Sequence, residues 1–547
     1  MKDLPIGNDN FRKIRDNDGY YVDKTELISE IVQRRNIEAF LFTRPRRFGK
    51  SLNMSMLDAF FNIQYKGNSW FDGLHVMNND ECIGFMNSYP VLFLNLKGLN
   101  VDDMDSFLKA FAYKISDVCA MHRCILGSDI DDVRLGRFDR IRKGEGNRAD
   151  LENSIKLLTD VLYEYYGSKT IVIIDEYDNP VQSTYGMEIQ SEIISFIRNL
   201  LTNGLKSNPS LEFGVITGVM QIAKESIFSG LNNLYVNNIF DSNFDECFGF
   251  TEHDVRSMLS YYGHPDRFDE CKAWYDGYVF GNAEVYNPWS ILNYIARGFK
   301  LDTYWAGTSG NDIIQTLLNN ADESVWNDLN SLSKREAVEC DLTQYISYSD
   351  IEHDYRAIYS IMAMSGYVKA RKTEYGYKVG IPNDEMFQTY SDMVLRVIGS
   401  NGIGSQVSNL FKALQNGDVK YLETGIHGLI KETISAKVLD NEHVYQAYLI
   451  GMMMGFCGNY EIYGDCMETG DGFADVIFKR IRGPGPNIII ELKKSKFEND
   501  LAKDAESAMK QIMDRDYMHG FRGRTLLYGV SFFSKRPYII SREWVGS

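Results

Sequence analysis

The sequence predicts an α/β protein with a parallel sheet in its N-terminal part, a helical middle region and a mixed α/β unit at its C-terminal end. Two observations lead to this prediction. TIVII at 170–174 is a run of β-branched residues typical of a strand buried on both faces, and similar runs alternate with helical patterns over residues 20–220. A second alternation of this kind begins near residue 425. At 547 residues the chain is too long for one hydrophobic core, so we expect domains at 1–250, 251–424 and 425–547.

The elements follow from these patterns in chain order. A charged, glycine-containing stretch at 126–150 is expected to be a surface excursion, and residues 250–420 are helical and rich in aromatic residues. Strands are predicted at 38–43, 90–96, 170–174, 211–217, 459–463, 473–479 and 487–492, and helices at 51–62, 104–125, 151–166, 188–204, 440–456 and 499–516.

Composition narrows the class of protein. Hydrophobic residues make up 44% and charged residues 24% of the chain, as in globular proteins. The formal net charge of −17 argues against a protein that coats nucleic acid non-specifically. Eight cysteines without C-x-x-C pairs indicate reduced thiols in a cytoplasm, and we expect neither a signal peptide nor a membrane span.

A phosphate-binding pattern stands in RPRRFGKS, residues 44–51, between a predicted strand and a predicted helix. Gly49, Lys50 and Ser51 match the end of G-x-x-x-x-G-K-[ST]. In that pattern backbone N–H groups and a helix N-terminus surround phosphates, lysine neutralises their charge and serine holds Mg²⁺. A G-K-S triplet is common by chance, so a basic turn without a ligand is the alternative.

Three arginines precede the triplet. Arg44 occupies the position of the pattern's first glycine. Together with Arg46 and Arg47 it is expected to add positive charge beside the phosphates.

An acidic pair at the end of a buried strand supplies the expected second part of a nucleotide site. Asp175 and Glu176 directly follow TIVII. In phosphoryl-transfer enzymes such an Asp orders Mg²⁺, and the Glu can polarise the attacking water. Thr217 ends the next predicted strand, where it either senses the terminal phosphate or caps the strand. The pair favours a nucleotide site over solvated acids in a turn.

These segments, with YYVDKT at 20–25, IIDEYDNPV and ITGVMQIAKESIFSGLNNL, resemble the AAA-ATPase-like family of bacterial and archaeal proteins. The resemblance covers about residues 1–250 and continues through WYDGY and YNPWS. It implies an AAA+/STAND-like P-loop NTPase domain that binds ATP with Mg²⁺ and hydrolyses it, and in which the missing first glycine is a family trait. The matching functional positions are Lys50, Asp175 and Glu176, with Arg44, Arg46 and Arg47 as candidates for an arginine finger in cis.

Two carboxylates and a lysine lie on the second predicted sheet. Asp475 belongs to one strand, and Glu491 and Lys493 share a face of the next, because strand side chains alternate. Two carboxylates can bind Mg²⁺, which activates water and stabilises charge on a phosphodiester, and the lysine can position or deprotonate that water. Glu442 on the preceding helix is a candidate third ligand. The alternative is a surface hairpin with ordinary salt bridges.

This arrangement resembles the PD-(D/E)XK nuclease superfamily over about residues 425–540, which implies a mixed sheet flanked by helices in a restriction-endonuclease-like fold. Glu442 matches the first-helix acid loosely, since relatives often have histidine where Gln446 stands. The positions that match the superfamily's motif are Asp475, Glu491, Lys493 and, on the next predicted helix, Gln511, with Tyr517 nearby.

The sequence thus predicts an ATP-binding and ATP-hydrolysing domain coupled to a Mg²⁺-dependent nuclease. Its expected partners are ATP and nucleic acid, DNA in preference to RNA, and self-assembly into a homo-oligomer is left open. The alternative is a nucleotide-dependent switch or scaffold whose nuclease-like domain binds nucleic acid or a protein without cleaving. The aromatic clusters at 274–289 and 304–305 are read as packing in preference to a platform for bases.

Overall fold

The computed structural model describes residues 1–99, 101–220, 227–228, 230–305, 325, 328–329, 331–332, 335–343, 356–390, 404–433, 442–454, 460–464, 468–481 and 485–546. At 356, 404–406, 408, 432–433, 442–443, 447, 451–452, 454 and 468 it describes the backbone alone. The chain divides into two compact units, one of residues 1–310, 340–377 and 382–385, the other of residues 311–339, 378–381 and 386–547. The predicted domain boundaries near 250 and 424 stay predictions, because compactness alone does not define a domain.

The first unit is built on a parallel five-stranded sheet in the order β2-β3-β4-β1-β5. All six residues of β3 are buried, as its run of β-branched side chains predicts. Since the strands are parallel, their carboxyl ends meet at one edge, where open α/β sheets bind ligands. The strands are β1 (Ala39–Thr43), β2 (Val91–Asn95), β3 (Thr170–Asp175), β4 (Leu211–Gly218) and β5 (Leu234–Asn237).

The other described elements up to residue 380 are helices and short strands, of which residues 338–339 and 378–380 belong to the second unit. The helices are α1 (Phe11–Asp16), α2 (Glu26–Gln33), α3 (Lys50–Phe61), α4 (Asp80–Phe85), α5 (Met104–Met121), α6 (Asp132–Arg142), α7 (Arg148–Glu152), α8 (Ser154–Tyr166), α9 (Asn179–Ser183), α10 (Gln190–Leu205), α11 (Glu252–Tyr261), α12 (Phe268–Tyr275), α13 (Pro288–Ala296) and α14 (Arg356–Ser365). The short strands are β6 (Tyr278–Phe280), β7 (Ala283–Val285), β8 (Val338–Cys340), β9 (Lys369–Lys372) and β10 (Tyr377–Gly380).

The segment 126–150 differs from the expected surface excursion. It contains helix α6, whose Phe138 and Ile141 are buried in the core formed with strands β2, β3 and β4 and helices α5, α8 and α10. Phe138 and Ile141 are three residues apart and therefore share one face of the helix. The many charges on the other faces of α6 hid this narrow apolar stripe.

The second unit contains a mixed sheet in the order β11-β14-β15-β16-β17. Strands β15 and β16 are parallel, and the other neighbours are antiparallel. The sheet strands are β11 (Tyr460–Gly464), β14 (Val476–Arg480), β15 (Asn487–Lys494), β16 (Gly523–Phe533) and β17 (Arg536–Gly546), with a separate pair β12 (Glu468–Thr469) and β13 (Gly472–Phe473). The helices are α15 (Gly404–Asn416), α16 (Val419–Thr433), α17 (Glu442–Met454) and α18 (Leu501–Asp514).

Helix α18 makes the crossover between the two parallel strands, as a parallel pair requires. Its Met509 and Ile512 are buried in one core with Ile477, Ile489 and Leu527 of the sheet. This core fixes the strand faces on which the second group of predicted site residues stands.

Candidate active sites

The loop from β1 to α3 lines a cavity of about 290 Å³ at the carboxyl edge of the parallel sheet. Gly49 is the N-cap of α3 with φ +83°, a left-handed conformation that glycine adopts without strain, and no side chain caps the helix there. Gly49, Lys50 and Ser51 all line the cavity. The uncapped first turn of α3 therefore offers the N–H groups and dipole that favour a phosphate.

Lys50 is buried with its ammonium turned onto the loop. Its Nζ donates to the carbonyl oxygens of Arg44 and Pro45, both at 2.9 Å. Burial penalises the charged form and lowers the pKa of Lys50 to about 8, while the carboxylates of Asp178 and Asp175 act in the opposite direction. A phosphate anion in the cavity would replace these carbonyl partners with a full negative charge.

Arg44 does not line the cavity, which differs from the expectation that it stands beside the phosphates. Its buried guanidinium donates to Oδ1 of Asn237 at 2.6 Å and to the carbonyl oxygens of Asn237 and Phe244. It also lies over the rings of Phe248 and Phe280. Arg44 therefore ties the start of the loop to the segment after β5.

Arg46 and Arg47 do line the cavity. The guanidinium of Arg46 donates to Oε1 of Gln182 at 3.2 Å, and that of Arg47 lies 4.2 Å from the ring centroid of Trp289. Arg47 has φ +70°. These two arginines are the cations that the loop holds at the cavity beside Lys50.

Asp175 stands at the end of β3 with partners from both neighbouring strands. Thr217 at the end of β4 donates its hydroxyl to Oδ1 of Asp175 at 2.5 Å, and Asn95 at the end of β2 donates to Oδ2 at 3.0 Å. Asp175 and Thr217 are fully buried. Three strand ends thus fix the orientation of one carboxylate, as expected of a residue that orders a metal and its waters.

Glu176 lines the cavity and has φ +56°, which is uncommon for a residue with a side chain. Its backbone N–H approaches the hydroxyl of Thr217 at 3.5 Å. Burial, followed by the adjacent Asp175 carboxylate, raises the pKa of Glu176. A raised pKa suits a carboxylate that accepts a proton from water.

Asp178 is a cavity residue that sequence reasoning did not single out. Its buried Oδ2 accepts from Val219 N at 2.8 Å, Met220 N at 3.1 Å and Nε2 of Gln182 at 2.6 Å. It therefore holds the chain after β4 and the glutamine that meets Arg46. The signal was present in the sequence, because Asp178 is the third acid of DEYD at 175–178, two residues after Glu176.

In the second unit the register of the sheet brings Asp475 and Glu491 together. Val476 pairs with Ile490 in an antiparallel ladder, so Asp475 comes opposite Glu491. Oδ2 of Asp475 accepts the backbone N–H of Leu492 at 2.6 Å. The carboxylate of Asp475 is thereby fixed to the strand that carries the second acid.

Lys493 lies on the same face of β15 as Glu491, and its Nζ donates to Oε1 of Glu491 at 3.0 Å. The Glu491 side chain is 2% exposed and the Lys493 side chain is 27% exposed, so the lysine is partly accessible while the carboxylate is recessed. The structure brings together the three residues that the sequence predicted as Asp475, Glu491 and Lys493.

Helices α17 and α18 carry the other residues that the superfamily resemblance singled out in this unit. On α18, Gln511 donates Nε2 to the hydroxyl of the buried Tyr517 at 3.2 Å. On α17, Gln446 donates to the carbonyl oxygen of Asp475. Glu442 begins α17, but its side chain lies outside the described residues.

Both sites offer oxygen ligands, which suit Mg²⁺. The first offers the Ser51 hydroxyl, which lines the cavity, and the Asp175 carboxylate, which stands at the same sheet edge but is fully buried and does not itself line the cavity. The second offers the carboxylates of Asp475 and Glu491. Within the described residues no group of three or more His, Cys, Asp or Glu side chains is assembled for a metal. Mg²⁺ usually keeps several waters and takes one or two carboxylates, so the residues present fit it.

A phosphate loop on a parallel sheet and a D…E-x-K set on a mixed sheet define a nucleotide-binding type of protein with a nuclease-like domain. Family comparison agrees: the model described as "Predicted AAA-ATPase" matches residues 5–228, and that of the PD-(D/E)XK nuclease superfamily matches residues 440–541. The chain therefore carries an AAA-ATPase-like domain followed by a PD-(D/E)XK nuclease superfamily domain.

A curated relative is similar over part of its length. It is an uncharacterized protein in the vnfD 5′ region of Azotobacter chroococcum mcd 1, 32% identical over 321 residues. The match covers 58% of this chain and 56% of the relative, so the chain spans little more than half the relative's length. In the described part of the chain no helix is long and apolar enough to cross a membrane.

Proposed function

We propose that the first unit binds ATP with Mg²⁺ and hydrolyses it. The observation that supports this most is the convergence of the phosphate loop, Glu176 and the Asp175–Thr217 pair at one edge of the parallel sheet. Lys50, Arg46 and Arg47 bind the phosphate oxygens together with the N–H groups at the start of α3. Mg²⁺, held by Ser51 and Asp175, would neutralise charge that develops on the phosphates.

Within this proposal each acid has a separate task. Asp175 keeps its orientation through Thr217 and Asn95, and Glu176 accepts the proton of the attacking water. Arg46 is the preferred arginine finger in cis, since its guanidinium lines the cavity and is held there by Gln182. Arg44 is not assigned a role in hydrolysis, because its guanidinium donates hydrogen bonds to Asn237 and Phe244.

We further propose that the second unit cleaves phosphodiester bonds of nucleic acid, with DNA as the preferred substrate. Asp475 and Glu491 hold a divalent cation that activates water, and Lys493 positions that water or takes its proton. The support is the antiparallel register in which Asp475 comes opposite Glu491, the hydrogen bond from Leu492 N–H to Asp475, and the 3.0 Å contact of Lys493 with Glu491. We also propose that the nucleotide state of the first unit controls cleavage by the second. The protein is proposed to be cytoplasmic.

The test is a cleavage assay with purified full-length protein, ATP and Mg²⁺ on linear duplex DNA, single-stranded DNA and single-stranded RNA. Glu491→Gln keeps the side-chain shape but removes the charge, and should abolish cleavage without changing binding of a fluorescent ATP analogue. Lys50→Ala should abolish binding of the analogue. Nucleic-acid binding without cleavage by the wild-type protein would instead support a nucleotide-dependent switch.

A further inference from the structure

Two tryptophans contact the phosphate-binding loop at its two cavity-lining arginines. The ring of Trp289 on α13 lies against the guanidinium of Arg47, with 4.2 Å from Cζ to the ring centroid. The indole N–H of Trp305 is directed at the carbonyl oxygen of Arg46 at 3.4 Å. Trp289 itself lines the cavity, and Trp305 is 1% exposed.

One buried carboxylate holds both tryptophans. Oε1 of Glu385 accepts the backbone N–H groups of Tyr304 and Trp305, each at 2.7 Å. Oε2 accepts the hydroxyl of Ser290, the residue after Trp289, at 2.7 Å. The indole N–H of Trp289 in turn donates to the carbonyl oxygen of Tyr304 at 2.9 Å.

Burying the Glu385 carboxylate costs desolvation free energy that an apolar side chain at this position would not cost. Glu385 is 0% exposed, and burial raises its pKa to about 7. Packing alone would be served by an apolar side chain, since a buried acid is tolerated only when it is fully hydrogen-bonded. Its three donors come from the chain segments that carry the two tryptophans, so the acid fixes their positions relative to each other.

We propose that Glu385 is a positioning residue of the nucleotide site, which sets Arg46 and Arg47 of the phosphate loop through Trp305 and Trp289. This inference rests on the proposed function, because it assigns a task to residues around the same cavity. It also gives the aromatic clusters near 289 and 304–305 a function other than packing. Glu385 touches neither nucleotide nor metal in this scheme and acts through the tryptophans alone.

The proposal is tested with four variants of the full chain, each titrated with a fluorescent ATP analogue and assayed for the KM and kcat of ATP hydrolysis. Glu385→Ala removes all three hydrogen bonds and should weaken affinity about tenfold or more. Ser290→Ala and Trp305→Phe each remove one donor and should weaken affinity about fivefold. Glu385→Gln should stay within about twofold of wild type, because its amide oxygen accepts both N–H groups and its NH₂ donates to Ser290.

Ser154→Ala is the matched control, since Ser154 is a buried serine of α8 whose hydroxyl meets no partner among the described residues. It should leave affinity unchanged. For the positioning variants the rise in KM for ATP should exceed the fall in kcat, and thermal unfolding should show folded protein. If Glu385→Ala does not fold, Trp305→Phe still tests the proposal, because it keeps an aromatic ring and removes the indole N–H directed at Arg46.

The inference is overturned if folded Glu385→Ala or Trp305→Phe binds the analogue as wild type does, or if Glu385→Gln loses as much affinity as Glu385→Ala. The proposed function has a separate point of failure. If wild-type protein does not bind the analogue, or Lys50→Ala binds it equally well, the nucleotide site itself is refuted. Wild-type binding that Lys50→Ala abolishes, with normal binding by the positioning variants, refutes the inference alone.

Discussion

The hydroxyl of Thr217 donates a 2.5 Å hydrogen bond to Oδ1 of Asp175 and joins the ends of two neighbouring parallel strands. Both side chains are fully buried, so neither can turn to water for a substitute partner. The same hydroxyl also lies 3.5 Å from the backbone N–H of Glu176. One side chain therefore orients the two acids to which we assign metal ordering and proton acceptance.

Thr217→Val keeps the shape of the side chain but removes its hydroxyl. Oδ1 of Asp175 then lacks the hydrogen bond that Thr217 donates. A buried acceptor without its partner costs about 1–3 kcal/mol, so we expect kcat for ATP hydrolysis to fall about tenfold or more. Affinity for a fluorescent ATP analogue should change little, because Thr217 is not among the cavity-lining residues. Thr202→Val on α10 is the control, because the Thr202 hydroxyl is buried without a hydrogen-bond partner among the described residues. Equal loss of activity in both variants would contradict the role assigned to Thr217.

Glu385 is expected to lower the free energy of unfolding as pH rises. Its pKa is raised from 4.5 to about 7, chiefly by burial, with Asp302 adding to the rise. Between these values the folded protein binds a proton that the unfolded chain does not, so stability falls as pH rises from 4.5 to 7. Glu385→Gln lacks this titration.

The Tm of Glu385→Gln relative to wild type should therefore increase from pH 5 to pH 8, with most of the change below pH 7. Thermal unfolding of both proteins in matched buffers measures it. Parallel Tm profiles across this range would show that Glu385 titrates near its ordinary value and is not desolvated as described.

Gly529 on β16 lies against the backbone of helix α18. A Cβ at Gly529 would lie 2.4 Å from the carbonyl oxygen of Ala505 and 2.8 Å from the backbone nitrogen of Met509. Because the backbone of a packed helix cannot move aside without losing its packing, Gly529→Ala should destabilise this unit by roughly 2 kcal/mol or more. Denaturant unfolding followed by circular dichroism measures the loss.

Gly428 on α16 provides the matched control for that substitution. A Cβ there meets nothing within 4 Å, so Gly428→Ala should be neutral or stabilise by about 0.5–1 kcal/mol, as glycine is unfavourable inside a helix. If Gly529→Ala is as stable as Gly428→Ala, the helix does not pack on the sheet as described.

Lys493 is expected to act in cleavage and not in folding. Its ammonium contacts the recessed Glu491, and its side chain as a whole is 27% exposed. Lys493→Ala should lower cleavage of nucleic acid about 100-fold or more, as for loss of a proton-transfer group, and leave ATP binding unchanged. The exposed Lys496 is the control, and a Lys493→Ala protein that cleaves as well as Lys496→Ala would remove Lys493 from the site.

Sequence order was enough to name the residues that the structure brings together at each candidate site, because each set depends on residue types at strand ends or on alternating positions of one strand. It could not give the orientation of Arg44, whose partners Asn237 and Phe244 lie 193 and 200 residues further along the chain. The hydrogen bonds of Glu385 were hidden for the same reason, since its donors are 80 to 95 residues away.

The last two strands of the second sheet were also not predicted. TLLYGVSFF in β16 is a long apolar run, but Gly529 interrupts it and reads as a break in a strand pattern. The structure gives the reason for this glycine in the backbone of α18 beneath it. A glycine required by tertiary packing cannot be distinguished from a turn residue in one sequence.

We propose that a nucleotide site and a metal-dependent nuclease site are joined in one chain. It is tested most directly by cleavage of a labelled linear DNA duplex with ATP and Mg²⁺, compared among wild type, Asp475→Ala and Lys50→Ala. On this proposal, wild type cleaves the duplex, Asp475→Ala loses cleavage while it still binds ATP, and Lys50→Ala shows altered cleavage. Cleavage by Asp475→Ala at the wild-type rate, or no cleavage by nucleotide-bound wild type, would contradict it.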